Sequence, residues 1–153
     1  MSKLTKKILP EKIENDYKGY KLAKITFLLI IIITLFRSFI HFLAPDGGAE
    51  SIAGIDLSIE GGEIVIAVFA LWGSSQLLLA FVFLIVYFRY NNLIPFMYIL
   101  IVIEYMMRII VGVIKPFEIA TTPPGAIFNI IMIPLGLIMF FFSILEPHKQ
   151  KLE

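Results

Sequence analysis

The sequence predicts an all-α membrane protein built as a bundle of four transmembrane helices. Hydrophobic residues make up 59% of the 153 residues and charged residues only 16%, whereas a soluble domain is about half apolar and a quarter charged. The mean hydropathy is +0.90. Four apolar segments also reach the roughly 20 residues that a helix needs to cross a hydrocarbon core of about 30 Å. These observations leave little of the chain for a soluble domain.

The chain is predicted to form one membrane domain over residues 23–145, with a short segment on either side. The four spans are expected at residues 23–43, 64–88, 93–114 and 126–145. The segments outside the spans are a basic arm (1–22), two outer loops (44–63 and 115–125), a tight turn between the second and third spans, and a tail (146–153). Because the spans alternate in direction, both termini are expected on one side of the membrane.

The distribution of charge predicts which side this is. Ten of the thirteen Lys and Arg residues lie in the arm and its junction with the first span, at the tight turn or in the tail. The first loop carries five acidic residues and neither Lys nor Arg. Positive charge near short loops stays in the cytoplasm, so we expect a multi-pass protein of the cytoplasmic membrane with both termini inside. The formal net charge of +1 gives no basic field that would favour a nucleic-acid partner.

Composition also restricts the chemistry. The chain has no cysteine, which excludes a disulfide relay, a thiolate nucleophile, an iron–sulfur cluster and Cys-ligated zinc. Of the two histidines, one lies in the tail, which argues against a bis-His haem within one chain. No catalytic set and no metal site is predicted, and an enzyme is the least favoured class. The cofactor is left open, with a quinone as one candidate.

The most informative residues are the polar ones inside the predicted spans. A charge at the bilayer centre costs about 2.5 to 3.5 kcal/mol on insertion scales, so such residues need a reason. The residues are Arg37 and His41 on the first span, Gln76 on the second, Glu104 and Arg108 on the third, and Asn129 on the fourth. At a rise of about 1.5 Å per residue, both arginines lie about 9 Å below the outer boundary. The six are therefore predicted to form one polar pocket that faces outward.

The charge of this pocket suggests a ligand. Two guanidinium groups with one carboxylate leave an excess positive charge. A lipid-accessible ligand with anionic or carbonyl groups, such as a quinone or a lipid head group, would satisfy it. Two alternatives remain open. In the first, the polar residues form a purely structural network in an accessory subunit of a larger membrane complex or in a homo-oligomer. In the second, they move protons or ions. The second is less favoured, because the inner half of the spans lacks a second carboxylate to complete a relay. Trp72 is interpreted as a packing residue rather than a stacking platform.

The first outer loop is expected to lie over the bundle as a lid, because its glycines permit tight turns and four aliphatic residues give it apolar character. Asp46 or Asp56 would then reach the arginines. A solvated acidic loop is the alternative, and a cation site is less favoured because the acids lack an EF-hand spacing. The lysines of the arm are explained by topology, with contact to anionic lipid as a less favoured role.

Two stretches of sequence resemble the DoxX-like group of small four-helix membrane proteins. The first is the end of the first span, residues 36–47, where an Arg, a His and a Pro precede an outer loop. The second is the small-residue segment 72–80 of the second span. The resemblance implies a bacterial or archaeal inner-membrane protein, in a group with some members linked to quinone-dependent sulfur oxidation or to oxidative-stress complexes. The absence of cysteine argues against sulfur chemistry in this chain.

Overall fold

The computed structural model describes residues 3–116 and 122–147. Within these residues the secondary structure is helical and contains no strand. The helices are α1 (Lys3–Ile8), α2 (Lys21–Leu43), α3 (Gly62–Arg89), α4 (Ile94–Ile114) and α5 (Pro124–Ile144), with a 3₁₀ turn at Asn91–Leu93. Helices α2 to α5 are long and apolar enough to cross a membrane. The predicted all-α bundle of four candidate spans is therefore confirmed, and each helix end lies within two residues of its predicted position.

Local sequence explains where these helices begin and end. Gly61 precedes α3 with a φ of 87°, a left-handed conformation that glycine adopts without a Cβ penalty. Pro95 lies in the first turn of α4, where its missing N–H is not needed. Pro134 lies inside α5, and the helix continues through it to Ile144.

The helices pack as two antiparallel pairs. In the first pair, α2 packs against α3 over most of its length, with the rings of Phe27 and Phe83 5.5 Å apart. In the second pair, Gly136 of α5 lies against Val102 of α4. A Cβ at position 136 would lie only 2.7 Å from Val102, so glycine permits this close approach.

A buried core joins the two pairs. The hydroxyl of Tyr98 on α4 donates a hydrogen bond of 2.6 Å to the backbone carbonyl of Ala23 on α2. The Tyr98 ring also contacts Phe27, with centroids 5.7 Å apart. Around this contact lie other fully buried side chains from all four long helices: Ile31, Phe83, Ile94, Ile101 and Met132.

The arm folds against one end of the bundle, which we call the arm end. The side chain of Asn92 accepts a hydrogen bond from the amide of Glu14 (3.1 Å) and donates one to the carbonyl of Lys12 (2.9 Å). Lys7 donates to the carbonyl of Ile144 (3.0 Å) and forms an ion pair with Glu146 (3.0 Å). The arm is thus bound to the start of α4 and the end of α5. Residues 44–61 lie at the opposite end of the bundle, which we call the loop end.

Candidate functional site

Two arginines from different helices bind the same amide oxygen in the half of the bundle nearer the loop end. Nη2 of Arg37, on α2, donates to Oε1 of Gln76 at 3.2 Å. Nη2 of Arg108, on α4, donates to the same oxygen at 3.0 Å. Gln76 lies on α3 and is buried. Three of the four spanning helices therefore meet at one hydrogen-bond acceptor.

Only one of these arginines has a carboxylate partner. Arg108 forms an ion pair with Glu104, one turn earlier on α4, and both side chains are mostly buried (16% and 22% exposed). Across residues 3–116 and 122–147, no carboxylate lies within ion-pair distance of Arg37. The Nε of Arg37 is buried and has no hydrogen-bond partner. Arg37 is thus a partly buried cation with an unused donor.

The indole of Trp72 lies beneath both guanidinium groups. The Cζ of Arg37 is 5.4 Å from the ring centroid and the Cζ of Arg108 is 5.1 Å from it. A guanidinium within about 6 Å of an aromatic ring is attracted by the ring's electron-rich face. Arg108 also lies over Tyr105, at 4.9 Å. We call Arg37, Trp72, Gln76, Glu104 and Arg108 the arginine cluster.

Trp72 packs against Arg37, Arg108 and His41, and the two arginines were not predicted from the sequence as its neighbours. Its position contained a usable signal, because Trp72 lies four residues before Gln76 and side chains at this spacing share a helix face. A tryptophan on the same face as the amide that binds two arginines is well placed to contact both of them.

His41 lies beside the cluster and connects it to the loop. It is 5% exposed, and its Nδ1 is 2.7 Å from the carbonyl oxygen of Gly47. Because a carbonyl oxygen only accepts hydrogen bonds, Nδ1 carries the proton. The imidazole packs on Trp72, with centroids 4.7 Å apart. His41 therefore touches the cluster through the indole and has no described hydrogen bond to either arginine.

Asn129 lies at the same level but is not bonded to the cluster. The packing of Phe128 against Tyr105 places this part of α5 beside the α4 turn that precedes Arg108. The Oδ1 of Asn129 is buried without a hydrogen-bond partner. The structure thus brings Arg37, Gln76, Glu104 and Arg108 into one bonded group, with His41 at its edge. Asn129 remains outside that group.

The first loop covers the loop end, but its acids do not reach the arginines. Gly47, Gly48 and Ala49 are buried. Asp46 accepts hydrogen bonds from the amides of Gly48 (2.9 Å) and Ser51 (2.8 Å). The bonds from Ser51 and Gly48 lower the pKa of Asp46 to about 2.

Asp56 is likewise engaged within the loop, where the amide and hydroxyl of Ser58 both donate to it. The expected contact of Asp46 or Asp56 with the arginines is therefore wrong, because loop amides and a hydroxyl already occupy these carboxylates.

Two cavities lie away from the arginine cluster. A cleft of about 310 Å³ at the arm end lies between the arm and the ends of α4 and α5, and three lysines and three acids contribute to its lining. A smaller apolar cavity of about 140 Å³ lies on α4 and α5 near Val102 and Leu137. Neither cavity is lined by a residue of the cluster. Among the described residues no group of three or more His, Asp or Glu side chains is arranged to hold a metal ion.

No protein-family model matches this chain, and no similar curated protein or solved structure was found.

Proposed function

We propose that this chain is a multi-pass protein of the cytoplasmic membrane that binds a lipid-accessible ligand at the arginine cluster. The ligand carries anionic or carbonyl groups, as a lipid head group or a quinone does. Both termini are proposed to lie in the cytoplasm, because the lysines of the arm gather at the arm end and the acids of the first loop at the other. A relationship to the DoxX-like group is part of the proposal and is supported by the sequence resemblance.

The observation that carries this proposal is the unsatisfied state of Arg37. A buried charge is normally paired and hydrogen-bonded, yet Arg37 has only neutral hydrogen-bond partners among the described residues, Gln76 and Tyr105, and its buried Nε has no partner. Glu104 already pairs with Arg108. A bound acceptor would complete the coordination of Arg37.

The aromatic side chains of the cluster determine how such a ligand would bind. The faces of Trp72 and Tyr105 are covered by guanidinium groups, so the ligand approaches the edges of these groups rather than stacking on a bare ring. The apolar part of the ligand then remains in the lipid. The proposed ligand site is therefore the polar edge of the arginine cluster, which the ligand reaches from the lipid.

Trp72 offers a direct test because it is the only tryptophan in the chain. A ligand that binds Arg37 or Arg108 changes the environment of the indole, so its fluorescence should change on titration. Native mass spectrometry from gentle detergent should show a matching small-molecule adduct. The Arg37→Gln/Arg108→Gln variant should lose both signals, whereas Arg89→Gln, a change at the exposed arm end of α3, should keep them. Wild-type protein without adduct or fluorescence response would refute the proposal.

A second function is favoured by the connectivity of the cluster. The bonds from Arg37 and Arg108 to Gln76 tie together α2, α3 and α4, which is what a purely structural network would do in an accessory subunit of a larger complex. Pulldown in mild detergent separates the two functions. A stoichiometric protein partner retained by a folded Arg37→Gln/Arg108→Gln variant would favour the accessory subunit.

A further inference from the structure

The charge of the arginine cluster is unbalanced by one unit. Arg37 and Arg108 supply two positive charges, and Glu104 supplies one negative charge. Gln76 is neutral and provides only its amide oxygen to both arginines. Inside a membrane an uncompensated charge is unfavourable, so the cluster favours a partner that brings one negative charge.

The nearby acids of the first loop do not supply this charge. Asp46 is occupied by the amides of Gly48 and Ser51, and Asp56 by the amide and hydroxyl of Ser58. Glu50, Glu60 and Glu63 form no ion pair with Arg37 either. Within the described part of the chain the excess charge is therefore located at Arg37.

The donors of Arg37 favour a particular kind of oxyanion. Its Nη2 donates to Gln76 and its guanidinium also bonds to Tyr105, while its Nε is buried and unpartnered. A guanidinium binds carboxylate and phosphate oxygens in a fork, through two parallel N–H bonds. A quinone carbonyl accepts a hydrogen bond but leaves the charge of Arg37 uncompensated.

The surface next to Arg37 fits the apolar part of such a ligand. Ile33 lies one turn before Arg37 on the same helix face and is 46% exposed. Phe36, the residue before Arg37, is 72% exposed. An acyl chain that extends from a head group at Arg37 can therefore lie along α2 in the hydrocarbon region.

We propose that the ligand of the arginine cluster is a monoanionic amphiphile whose head is a carboxylate or a phosphodiester. This inference rests on the proposed ligand-binding function and narrows it to one charge class. Carboxylate and phosphodiester share the chemistry that Arg37 recognises, which is one negative charge spread over two oxygens. Neutral quinones and doubly charged phosphomonoesters are the ligand classes that the cluster disfavours.

The test is a ligand panel titrated into the full-length protein in a non-ionic detergent, followed by Trp72 fluorescence and by native mass spectrometry. The panel contains oleate, phosphatidylglycerol, a short-chain benzoquinone and phosphatidic acid. The titration is run at about pH 8, where a phosphomonoester is doubly ionised. Oleate and phosphatidylglycerol are the two sources of the shared chemistry, and at least one of them should bind more tightly than the quinone and the phosphomonoester.

Two variants test the charge count. Arg37→Gln removes the excess charge and should weaken binding of the monoanion about tenfold or more. Glu104→Gln raises the excess to two units and should shift the preference toward phosphatidic acid by a similar factor. Arg89→Gln changes the net charge by the same amount as Arg37→Gln at the far end of the bundle and should leave the affinities unchanged.

The variants also separate this inference from the function on which it rests. Tight binding of the quinone without binding of the monoanions would overturn the charge class and leave the ligand-binding function intact. Absence of any adduct or fluorescence response would refute both. Monoanion binding that is unchanged in Arg37→Gln would show that the anion does not bind there. If Arg37→Gln does not fold, Arg37→Lys keeps the charge but loses the fork, and the wild-type panel still decides between the charge classes.

Glu118 lies outside the described residues, and a further variant tests whether it supplies the missing charge. If it did, Glu118→Gln would strengthen anion binding as Glu104→Gln does, and the inferred charge imbalance would be wrong. We expect Glu118→Gln to leave the preference between monoanion and phosphomonoester unchanged.

Discussion

Gly73 shows how the absence of one side chain positions the arginine cluster. A Cβ at position 73 would lie 2.8 Å from both the Cβ of His41 and the backbone nitrogen of Phe42. Gly73 lies next to Trp72 and one turn before Gln76. The close approach of α2 and α3 at Gly73 therefore brings Arg37 of α2 within reach of Trp72 and Gln76.

We therefore expect Gly73→Ala to destabilise the protein by about 2 kcal/mol, because the added methyl group overpacks the contact between α2 and α3. The free energy of unfolding is measured by denaturant titration in detergent micelles. Gly112 is a matched control on α4, because a Cβ there would meet no atom within 4 Å. Gly112→Ala should be neutral or stabilising by up to about 1 kcal/mol. Equal losses in both variants would show that the contact at Gly73 is not special.

The sequence predicted some side-chain partners in the cluster and not others. The ion pair of Glu104 with Arg108 follows from their spacing of four residues on one helix. The similar depth of Arg37 and Arg108 follows from helix rise alone. The spacing of Trp72 and Gln76 places both on one face of α3, but which neighbours that face meets depends on how α3 is rotated about its own axis. Hydropathy does not determine that rotation for a helix that is apolar on nearly every face.

At the scale of elements, the first loop is a folded cap whose stability depends on Asp46. The amide and side chain of Ser51 and the amide of Gly48 stabilise its ionised form and hold its pKa near 2, below the ordinary value of 3.8. Because the pKa is lower in the folded state, this contribution is present above the unfolded value and is lost as the pH falls toward 2.

We expect acid to destabilise the wild-type cap between about pH 5 and pH 2, and Asp46→Asn to remove part of that pH dependence. The measurement is the thermal unfolding midpoint as a function of pH. Glu60→Gln is the control, since Glu60 is exposed and has no described hydrogen bond or ion pair. If Glu60→Gln flattened the profile as much as Asp46→Asn, the hydrogen bonds to Asp46 would not be the cause.

The arm is a second element with a defined attachment. The side-chain oxygen of Asn92 accepts a hydrogen bond from the amide of Glu14, and its side-chain nitrogen donates one to the carbonyl of Lys12. Such bonds were not predictable from the sequence, where the arm reads as a run of charges. The two backbone groups that Asn92 binds belong to residues two apart in the arm, and such contacts leave no periodic pattern in the sequence.

We expect Asn92→Ala to loosen the arm without unfolding the bundle. Limited trypsin digestion should cleave after Lys12 and Lys18 about fivefold faster than in the wild type, as the loss of about 1 kcal/mol of hydrogen bonding predicts. Asn15→Ala is the matched control, because Asn15 is exposed and forms no described hydrogen bond. Unchanged cleavage in Asn92→Ala would mean that other contacts hold the arm.

At the scale of the whole molecule, a shared buried core joins the two antiparallel helix pairs. The hydrogen bond from Tyr98 to the Ala23 carbonyl is one of the contacts between the pairs and is fully buried. Hydropathy predicted the number of helices and their ends closely, because the thickness of the hydrocarbon core sets how many apolar residues a spanning helix needs. It did not predict which helices pair, since many rotations of apolar helices bury similar area.

We expect Tyr98→Phe to cost about 1 kcal/mol of unfolding free energy, because it removes one hydrogen bond and keeps the ring. Tyr90→Phe should change the stability by less than about 0.5 kcal/mol, since Tyr90 is exposed at the arm end. Both are measured by the same denaturant titration. A loss in Tyr98→Phe no larger than in Tyr90→Phe would show that this bond does not hold the pairs together.

The attachment of the arm has a consequence for biogenesis. The arm precedes α4 and α5 in the chain, yet its described hydrogen bonds to the bundle go to Asn92 and to the end of α5. During synthesis it therefore has no complete docking surface until the fourth span has entered the bilayer. In a chain stalled before that step the arm lacks these partners, whereas in the complete chain it is bonded to Asn92 and to the end of α5. Docking of the arm thus marks the end of membrane insertion.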